Sequence, residues 1–107
     1  MISTVELEKI RAIYFEKGKT RGNFIAVLNR SDVSRFDLDT AMERLLEIEG
    51  YDREYTPFEI LATEINSLDE KYAETGWVST SVWNSYEEGI RAGVFETLMK
   101  ERQEQSA

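Results

Sequence analysis

Apolar residues recur at every fourth position across residues 79–103, the strongest pattern in the chain. The recurring positions are Val82, Tyr86, Ile90, Val94 and Leu98. Trp83 and Phe95 flank this line and widen it into the broad apolar stripe of an amphipathic helix. Hydroxyl residues at 79–81 can cap the first free amides of that helix. The pattern therefore predicts a long core helix with one solvent-facing side.

Gly89 and Gly93 lie on or beside this stripe, one helical turn apart. A glycine inside a helix costs about 1 kcal/mol relative to alanine. The pair therefore predicts a packing notch that receives the backbone of another helix. The alternative is a phosphate-binding glycine loop, but such a loop precedes a helix and does not lie inside one.

The first part of the chain predicts two shorter helices. Ser3 and Glu6 have capping-box spacing, so the first helix covers residues 4–17 and Gly18 ends it in a left-handed cap. Residues 23–29 contain a short apolar run that fits either a helix or a strand by periodicity. We favour a helix because no partner strand is indicated.

Two further helices are predicted before the last one. Asp37 or Asp39 caps a helix that ends at Gly50. A Thr-Pro pair at residues 56–57 starts the next helix, which ends near Gly76. No segment alternates with the period of a strand. The sequence therefore predicts a single all-α domain of five helices, with a helix-turn-helix-like half (1–55) and a long helical hairpin (56–105).

Composition excludes several kinds of chemistry. The chain has no cysteine and no histidine, so thiol nucleophiles, disulfides and the usual zinc ligands are absent. Neighbouring carboxylates such as Glu87 and Glu88 point about 100° apart on a helix and do not converge on a metal or a substrate. We expect no catalytic residues, no metal and no cofactor.

The apolar runs are short and the first residues are charged. The longest apolar run covers only residues 24–28, which is too short to cross a bilayer. Glu6, Glu8, Lys9 and Arg11 precede any long apolar run, unlike a secretory signal. We expect a cytoplasmic protein with no membrane partner.

The net charge of −8 is unevenly distributed. Residues 1–35 carry seven basic and four acidic residues, whereas residues 36–107 carry six basic and seventeen acidic residues. This division indicates two surfaces with different partners. The alternative is that the later helices simply have solvated acidic faces.

Three stretches in the first half form a helix-turn-helix-like series. A helix ends in Glu-Lys-Gly-Lys-Thr at residues 16–20, a short helix ends in Leu-Asn-Arg-Ser at residues 28–31, and a third helix at residues 39–51 runs into Gly50 and Tyr51. The series resembles helix-turn-helix regulators, and the third stretch resembles the last helix and wing entry of winged ones. The resemblance implies a DNA-binding regulator.

Five basic residues are the candidate nucleic-acid contacts under this interpretation. Lys17, Lys19 and Arg21 would contact phosphates, and Arg30 and Arg35 would contact phosphates or base edges. The alternative is that they are ordinary solvated charges, since the dipole at a helix C-terminus also favours lysine.

The acidic part of the chain suggests a different class of function. Its candidate partner-binding residues are Asp39, Glu43, Glu47, Asp52 and Glu54. A carboxylate surface of this kind suits a basic groove on a protein that otherwise holds nucleic acid. Three aromatic residues, Tyr51, Tyr55 and Trp77, are candidate apolar anchors for the contact.

We therefore expect a small acidic, non-catalytic interaction protein. It would regulate or inhibit a nucleic-acid-handling partner through protein contacts, as DNA mimics and accessory proteins of phages and mobile elements do. The alternative is a helix-turn-helix transcriptional regulator that forms a homodimer through the notch at Gly89 and Gly93.

Overall fold

The computed structural model describes residues 1–52 and 56–106, with side chains described for residues 1–47 and 59–104. It contains four helices, α1 (Thr4–Val33), α2 (Leu38–Asp52), α3 (Thr56–Lys71) and α4 (Trp77–Ser106). No strand occurs in these described ranges. The all-α prediction is confirmed. The five-helix prediction is wrong, because the first two predicted helices are one.

Helix α1 is continuous over 30 residues. It begins as predicted, with the backbone amide of Glu6 donating to Ser3 Oγ at 3.1 Å. It then runs through Gly18 and Gly22, both of which are buried inside it. The turn predicted at this point does not exist, and the helix-turn-helix arrangement of the first half is therefore absent.

The glycines of α1 lie against the backbone of α4. A Cβ atom added to Gly18 would stand 2.1 Å from the carbonyl oxygen of Tyr86, and one added to Gly22 would stand 2.1 Å from that of Ile90. No side chain larger than hydrogen fits at either position. The close approach explains why α1 keeps two residues that are unfavourable in a helix interior.

The glycines of α4 make the reciprocal contact. A Cβ atom added to Gly89 would stand 2.1 Å from the carbonyl oxygen of Phe15, and one added to Gly93 would stand 2.1 Å from that of Lys19. The predicted packing notch is confirmed, and α1 of the same chain fills it. The notch is therefore not available for the predicted homodimer contact.

The paired residue numbers rise together along the two helices, so α1 and α4 are parallel. Because both helices start at the same end of the molecule, the segment between them must run back from the end of α1 to that end. Helices α2 and α3 form this segment. They contain 15 and 16 residues, about 46 Å of helix, which matches the roughly 45 Å of α1. The result is an elongated molecule with Cα dimensions of 51 × 28 × 17 Å.

The core lies where α2 packs against the α1–α4 pair. Its buried residues are Ile25, Ala26, Val33, Ala41, Leu45, Tyr86, Ile90, Val94 and Leu98. The central line of the predicted stripe is thus buried, including Val82, and the flanking Trp83 is partly buried. Phe95 is an exception, since its side chain is 45% exposed.

Helices α3 and α4 follow each other through a short turn. Gly76 in this turn has φ +93°, a left-handed conformation that glycine accommodates. The two helices are antiparallel, since Trp83 Nε1 donates to Asn66 Oδ1 at 3.1 Å and the amide of Val78 donates to Asp69. They lie side by side in the described residues, but the principal partner of α4 is α1. Across the described ranges, no helix is both long and apolar enough to cross a bilayer.

Candidate functional site

The acidity of the chain is concentrated in the segment that returns between the two long helices. We call residues 37–74, which include α2 and α3, the acidic arm. It contains twelve acidic and three basic residues, a net charge of −9 within a chain whose total is −8. The two long helices and their flanking residues are therefore almost neutral in sum. The net negative charge of the chain therefore resides in the acidic arm.

A row of three carboxylates forms the outer face of α2. Asp39, Glu43 and Glu47 follow each other at intervals of four residues, and all three are exposed. Ala41 and Leu45 occupy the opposite side of the helix and are fully buried. Successive members of the row are about 6 Å apart along the axis. Among the described residues, none of the three carboxylates forms an ion pair with lysine or arginine.

Asp37 has a structural role as a helix cap and is not part of this row. Its Oδ1 accepts the backbone amide of Thr40 at 2.7 Å and caps α2, as one of the two sequence alternatives predicted. The hydrogen bonds from Thr40 hold the pKa of Asp37 below its usual range, and the charge of Arg102 acts in the same direction.

Asp69 caps α4 from the end of α3. Its Oδ1 accepts the backbone amides of Val78 at 3.1 Å and Ser79 at 3.2 Å. Hydrogen bonding with Ser79 is the main cause that lowers the pKa of Asp69, and the amide of Val78 adds to it. This carboxylate satisfies two of the free amides at the start of α4.

Two glutamates of the arm hold it to the rest of the molecule. Glu64 Oε2 accepts the hydroxyl of Tyr14 at 3.1 Å and lies 3.8 Å from Lys17 Nζ. Partial burial, together with Glu64, raises the pKa of Tyr14. Glu74 Oε2 accepts the indole Nε1 of Trp77 at 2.7 Å. These contacts distinguish the anchoring carboxylates of the arm from the exposed row on α2.

The candidate DNA-contacting residues on α1 do not form one surface. Lys17 pairs with Glu64 of α3, whereas Lys19 Nζ lies 3.2 Å from Glu96 of α4. Residues 17 and 19 point about 160° apart around the helix, because each residue turns it by about 100°. Acidic residues of the same chain thus lie close to both lysines.

The three candidate arginines are also dispersed. Arg21 lies beside the groove between α1 and α3. Arg30 Nε lies 3.8 Å from Glu101 of α4. Arg35 follows the end of α1 and stacks over the ring of Phe36 at 5.4 Å. The helix-turn-helix arrangement that would have brought these basic residues to one face of DNA is absent from the described residues.

Several predicted contact residues cannot be placed on this surface. Glu54 and Tyr55 lie outside the described residues, and the side chains of Tyr51 and Asp52 also lie outside them. Trp77 is described, and its side chain is 45% exposed at the first residue of α4. It remains a candidate apolar anchor.

Sequence reasoning missed an apolar surface on α1. The run at residues 24–28 is predicted only as part of a short helix, and within α1 Ile25 and Ala26 are its buried members. Phe24, Val27 and Leu28 are each at least half exposed. The sequence does contain a signal for this surface, since five consecutive apolar residues cannot all face one side of a helix.

Comparison with known proteins adds no relative. No protein-family model matches the chain, and no curated protein or solved structure matches it either.

Proposed function

We propose that this chain is a non-catalytic interaction protein that regulates or inhibits a nucleic-acid-handling protein by binding its basic groove. The observation that carries the proposal is the exposed carboxylate row of α2 on an arm of net charge −9. The proposal extends to an accessory protein of the kind found in phages and mobile elements, by analogy with other small acidic inhibitors.

In a protein groove that binds DNA, basic side chains contact phosphates, which are regularly spaced negative charges. Carboxylates that recur about every 6 Å along α2 present negative charges in such a regular series. Charge complementarity of this kind accelerates association and suppresses wrong partners. Affinity also needs apolar anchors, and Trp77 is the described candidate. It lies at the start of α4, about 37 Å along that helix from Arg102, which contacts Phe36 beside the start of α2, so a partner must span this length to reach both Trp77 and Asp39.

Reversing the charge of the row tests the proposal. The variant Asp39→Lys, Glu43→Lys, Glu47→Lys is compared with the control Asp32→Lys, Glu88→Lys, Glu104→Lys, whose positions are also exposed. Both variants change the net charge equally. Each immobilised protein is incubated with nuclease-treated lysate, and bound proteins are eluted with duplex DNA.

The expected result is a nucleic-acid-binding protein that the wild type and the control retain, that duplex DNA displaces, and that the α2 variant loses. Equal retention by the α2 variant would show that the row is not the contact. Retention that DNA does not disturb would show that the partner's nucleic-acid site is not involved.

Direct binding to DNA is the alternative that a second measurement decides. Fluorescence anisotropy with mixed-sequence duplex DNA at low salt should give no binding by the wild type, since acidic residues lie close to Lys17 and Lys19 and the net charge is −8. Binding that weakens steeply with salt would favour the DNA-binding regulator instead.

A further inference from the structure

The two helices of the acidic arm differ in how their charges are compensated. In α3, Glu64 lies 3.8 Å from Lys17 of α1, and Asp69 caps α4. The last turn of α3 contains a basic residue, which the helix dipole favours there, whereas the last turn of α2 contains none. Arg44, the only basic residue in the sequence of α2, has its guanidinium carbon 5.4 Å from the centre of the Phe36 ring. Among the described residues, the carboxylate row of α2 therefore keeps its charge without an ion-pair partner.

The carboxylate row opposes helix formation in α2. Asp39, Glu43 and Glu47 follow each other at intervals of four residues, so neighbouring carboxylates lie on the same side of the helix. A like-charged pair at this spacing lowers the helix equilibrium constant by about 1.4–2.3-fold. Glu43 belongs to both pairs, so removing its charge relieves a combined effect of about 2–5-fold. The helix dipole favours Asp39 in the first turn, which leaves the two glutamates as the destabilising members of the row.

The apolar contacts that hold α2 are few compared with those of the long helices. Among the described residues of α2, Ala41 and Leu45 are fully buried. Helices α1 and α4 instead contact each other through backbone at four glycines, and α4 buries side chains along most of its length. The four-glycine contact does not involve α2. Local opening of α2 can therefore leave the pair of long helices intact.

Cationic groups bound to the row remove the cost of its repulsion. The three carboxylates form a series with steps of about 6 Å only while α2 is helical, because an opened segment separates them. A series of cationic groups on a partner thus binds the helical state better than the opened one. A ligand shifts a conformational equilibrium by this difference in affinity. Arginine suits the contact, since its guanidinium can bind a carboxylate through two parallel hydrogen bonds.

We propose that α2 opens locally in the free chain and that cationic groups bound to its carboxylate row close it on the long helices. Helix formation in α2 and partner binding are then coupled. The carboxylate row acts as the switch, because its own repulsion favours the open state and its neutralisation favours the closed one. This coupling rests on the function proposed above and adds a regulatory step to it.

Amide hydrogen exchange of the full-length chain tests the proposal. Exchange is followed by nuclear magnetic resonance at one pH and low salt, for the backbone amides of residues 42–47 in α2 and 90–94 in α4. Glu43→Gln removes both repulsions, and glutamine has nearly the same helix propensity as glutamate. The matched control is Glu88→Gln, which removes one charge from an exposed position of α4. The cationic probe is an octa-arginine peptide, and the variant Asp39→Asn, Glu43→Gln, Glu47→Gln is its control.

The expected result has three parts. In the wild type, the amides of residues 42–47 exchange at least about tenfold faster than those of residues 90–94, because they exchange through local opening. Glu43→Gln slows exchange in α2 by about 2–5-fold, whereas Glu88→Gln leaves it unchanged. Octa-arginine slows exchange in α2 of the wild type by at least about twofold and has no such effect in the triple variant.

Three results would overturn the proposal. They are equal protection of α2 and α4, equal effects of Glu43→Gln and Glu88→Gln, and octa-arginine that either does not bind or binds without slowing exchange in α2. Binding itself is measured by fluorescence anisotropy of the labelled peptide.

The same data separate this proposal from the proposed function. If octa-arginine slows exchange in α2 but the lysate yields no basic partner, the proposed function fails and the switch in α2 stands. If a partner is recovered through the row but bound octa-arginine leaves exchange in α2 unchanged, the coupling fails and the proposed function stands.

Discussion

Replacing Gly22 with alanine tests the contact that holds the two long helices together. The added Cβ would stand 2.1 Å from the carbonyl oxygen of Ile90. A close carbon–oxygen contact between helices is about 3.3 Å. The helices must therefore separate by about 1 Å at this point, because the obstructing atom is backbone and cannot rotate away.

Two effects of opposite sign determine the change in stability. Alanine favours the helix by about 1 kcal/mol relative to glycine. Overpacking typically costs about 1–3 kcal/mol and occasionally more, and the weaker packing along two separated 30-residue helices places this case at about 3 kcal/mol. We expect a net loss of about 2 kcal/mol, which lowers the melting temperature by roughly 8–16 °C.

Urea unfolding followed by tryptophan fluorescence and circular dichroism measures this loss. The control is Asn84→Ala at an exposed position of α4, where the higher helix propensity of alanine should raise stability slightly. If Gly22→Ala were as stable as the wild type or more stable, the backbone contact would be refuted. Such a result would mean that the higher helix propensity of alanine acts without any cost from overpacking against Ile90.

Three other predictions concern contacts that fix the ends and the middle of the helices. Asp69→Asn should flatten the acid dependence of stability. The pKa of Asp69 is lowered in the folded state, so its carboxylate stabilises the fold above about pH 4, and this stabilisation is lost as pH falls through the folded pKa. Urea midpoints between about pH 6 and 2 measure the dependence, and an unchanged slope in the variant would contradict the cap. Thr97→Val should cost about 1 kcal/mol in urea unfolding by leaving Asn23 Oδ1 without its 2.7 Å donor, whereas Thr97→Ser should not. Arg102→Gln should cost about 1–2 kcal/mol by removing the 2.6 Å hydrogen bond to the carbonyl of Phe36. Full stability in Arg102→Met, which keeps an apolar stem but has no donor, would show that packing, not the hydrogen bond, is measured.

Local signals in the sequence are sufficient to predict several features of the fold. The cap at Ser3, the cap at Asp37 and the apolar stripe of α4 each depend on residues within a few positions of one another. The exposure of the α2 row also follows from the spacing of Asp39, Glu43 and Glu47. These features are predictable because helix caps and amphipathic spacing are set within the helix itself.

The continuity of α1 is not predictable in the same way. Gly18 and Gly22 have the same spacing as Gly89 and Gly93, yet the local sequence favours a turn for the first pair and a packing notch for the second. Whether a glycine ends a helix or packs inside it depends on its partner, and here the partner lies about 70 residues away. The polar residues between the first two glycines also favour a turn. Two pairs with identical spacing are the signal for two helices that pack on each other.

The sequence predicts which carboxylates of the candidate site are exposed. It does not predict which charged residues form hydrogen bonds or ion pairs with other helices. Asp69 looks like one more acidic residue of α3, and only the position of α4 makes it a cap. Lys17 and Lys19 look like neighbouring phosphate contacts, and only the continuous helix directs them to different partners. Tertiary contacts determine these roles.

The parallel pairing of α1 and α4 also constrains how the chain folds during synthesis. Contacts such as Arg11 with Ser85 and Asn23 with Thr97 join residues 74 positions apart. Such long loops must close before the contacts form, which slows folding relative to bundles of sequential neighbours. Alone, α1 carries two helix-weakening glycines and an unfilled notch. Nascent α1 therefore leaves the ribosome without its partner, and its notch stays unfilled until α4 has been translated.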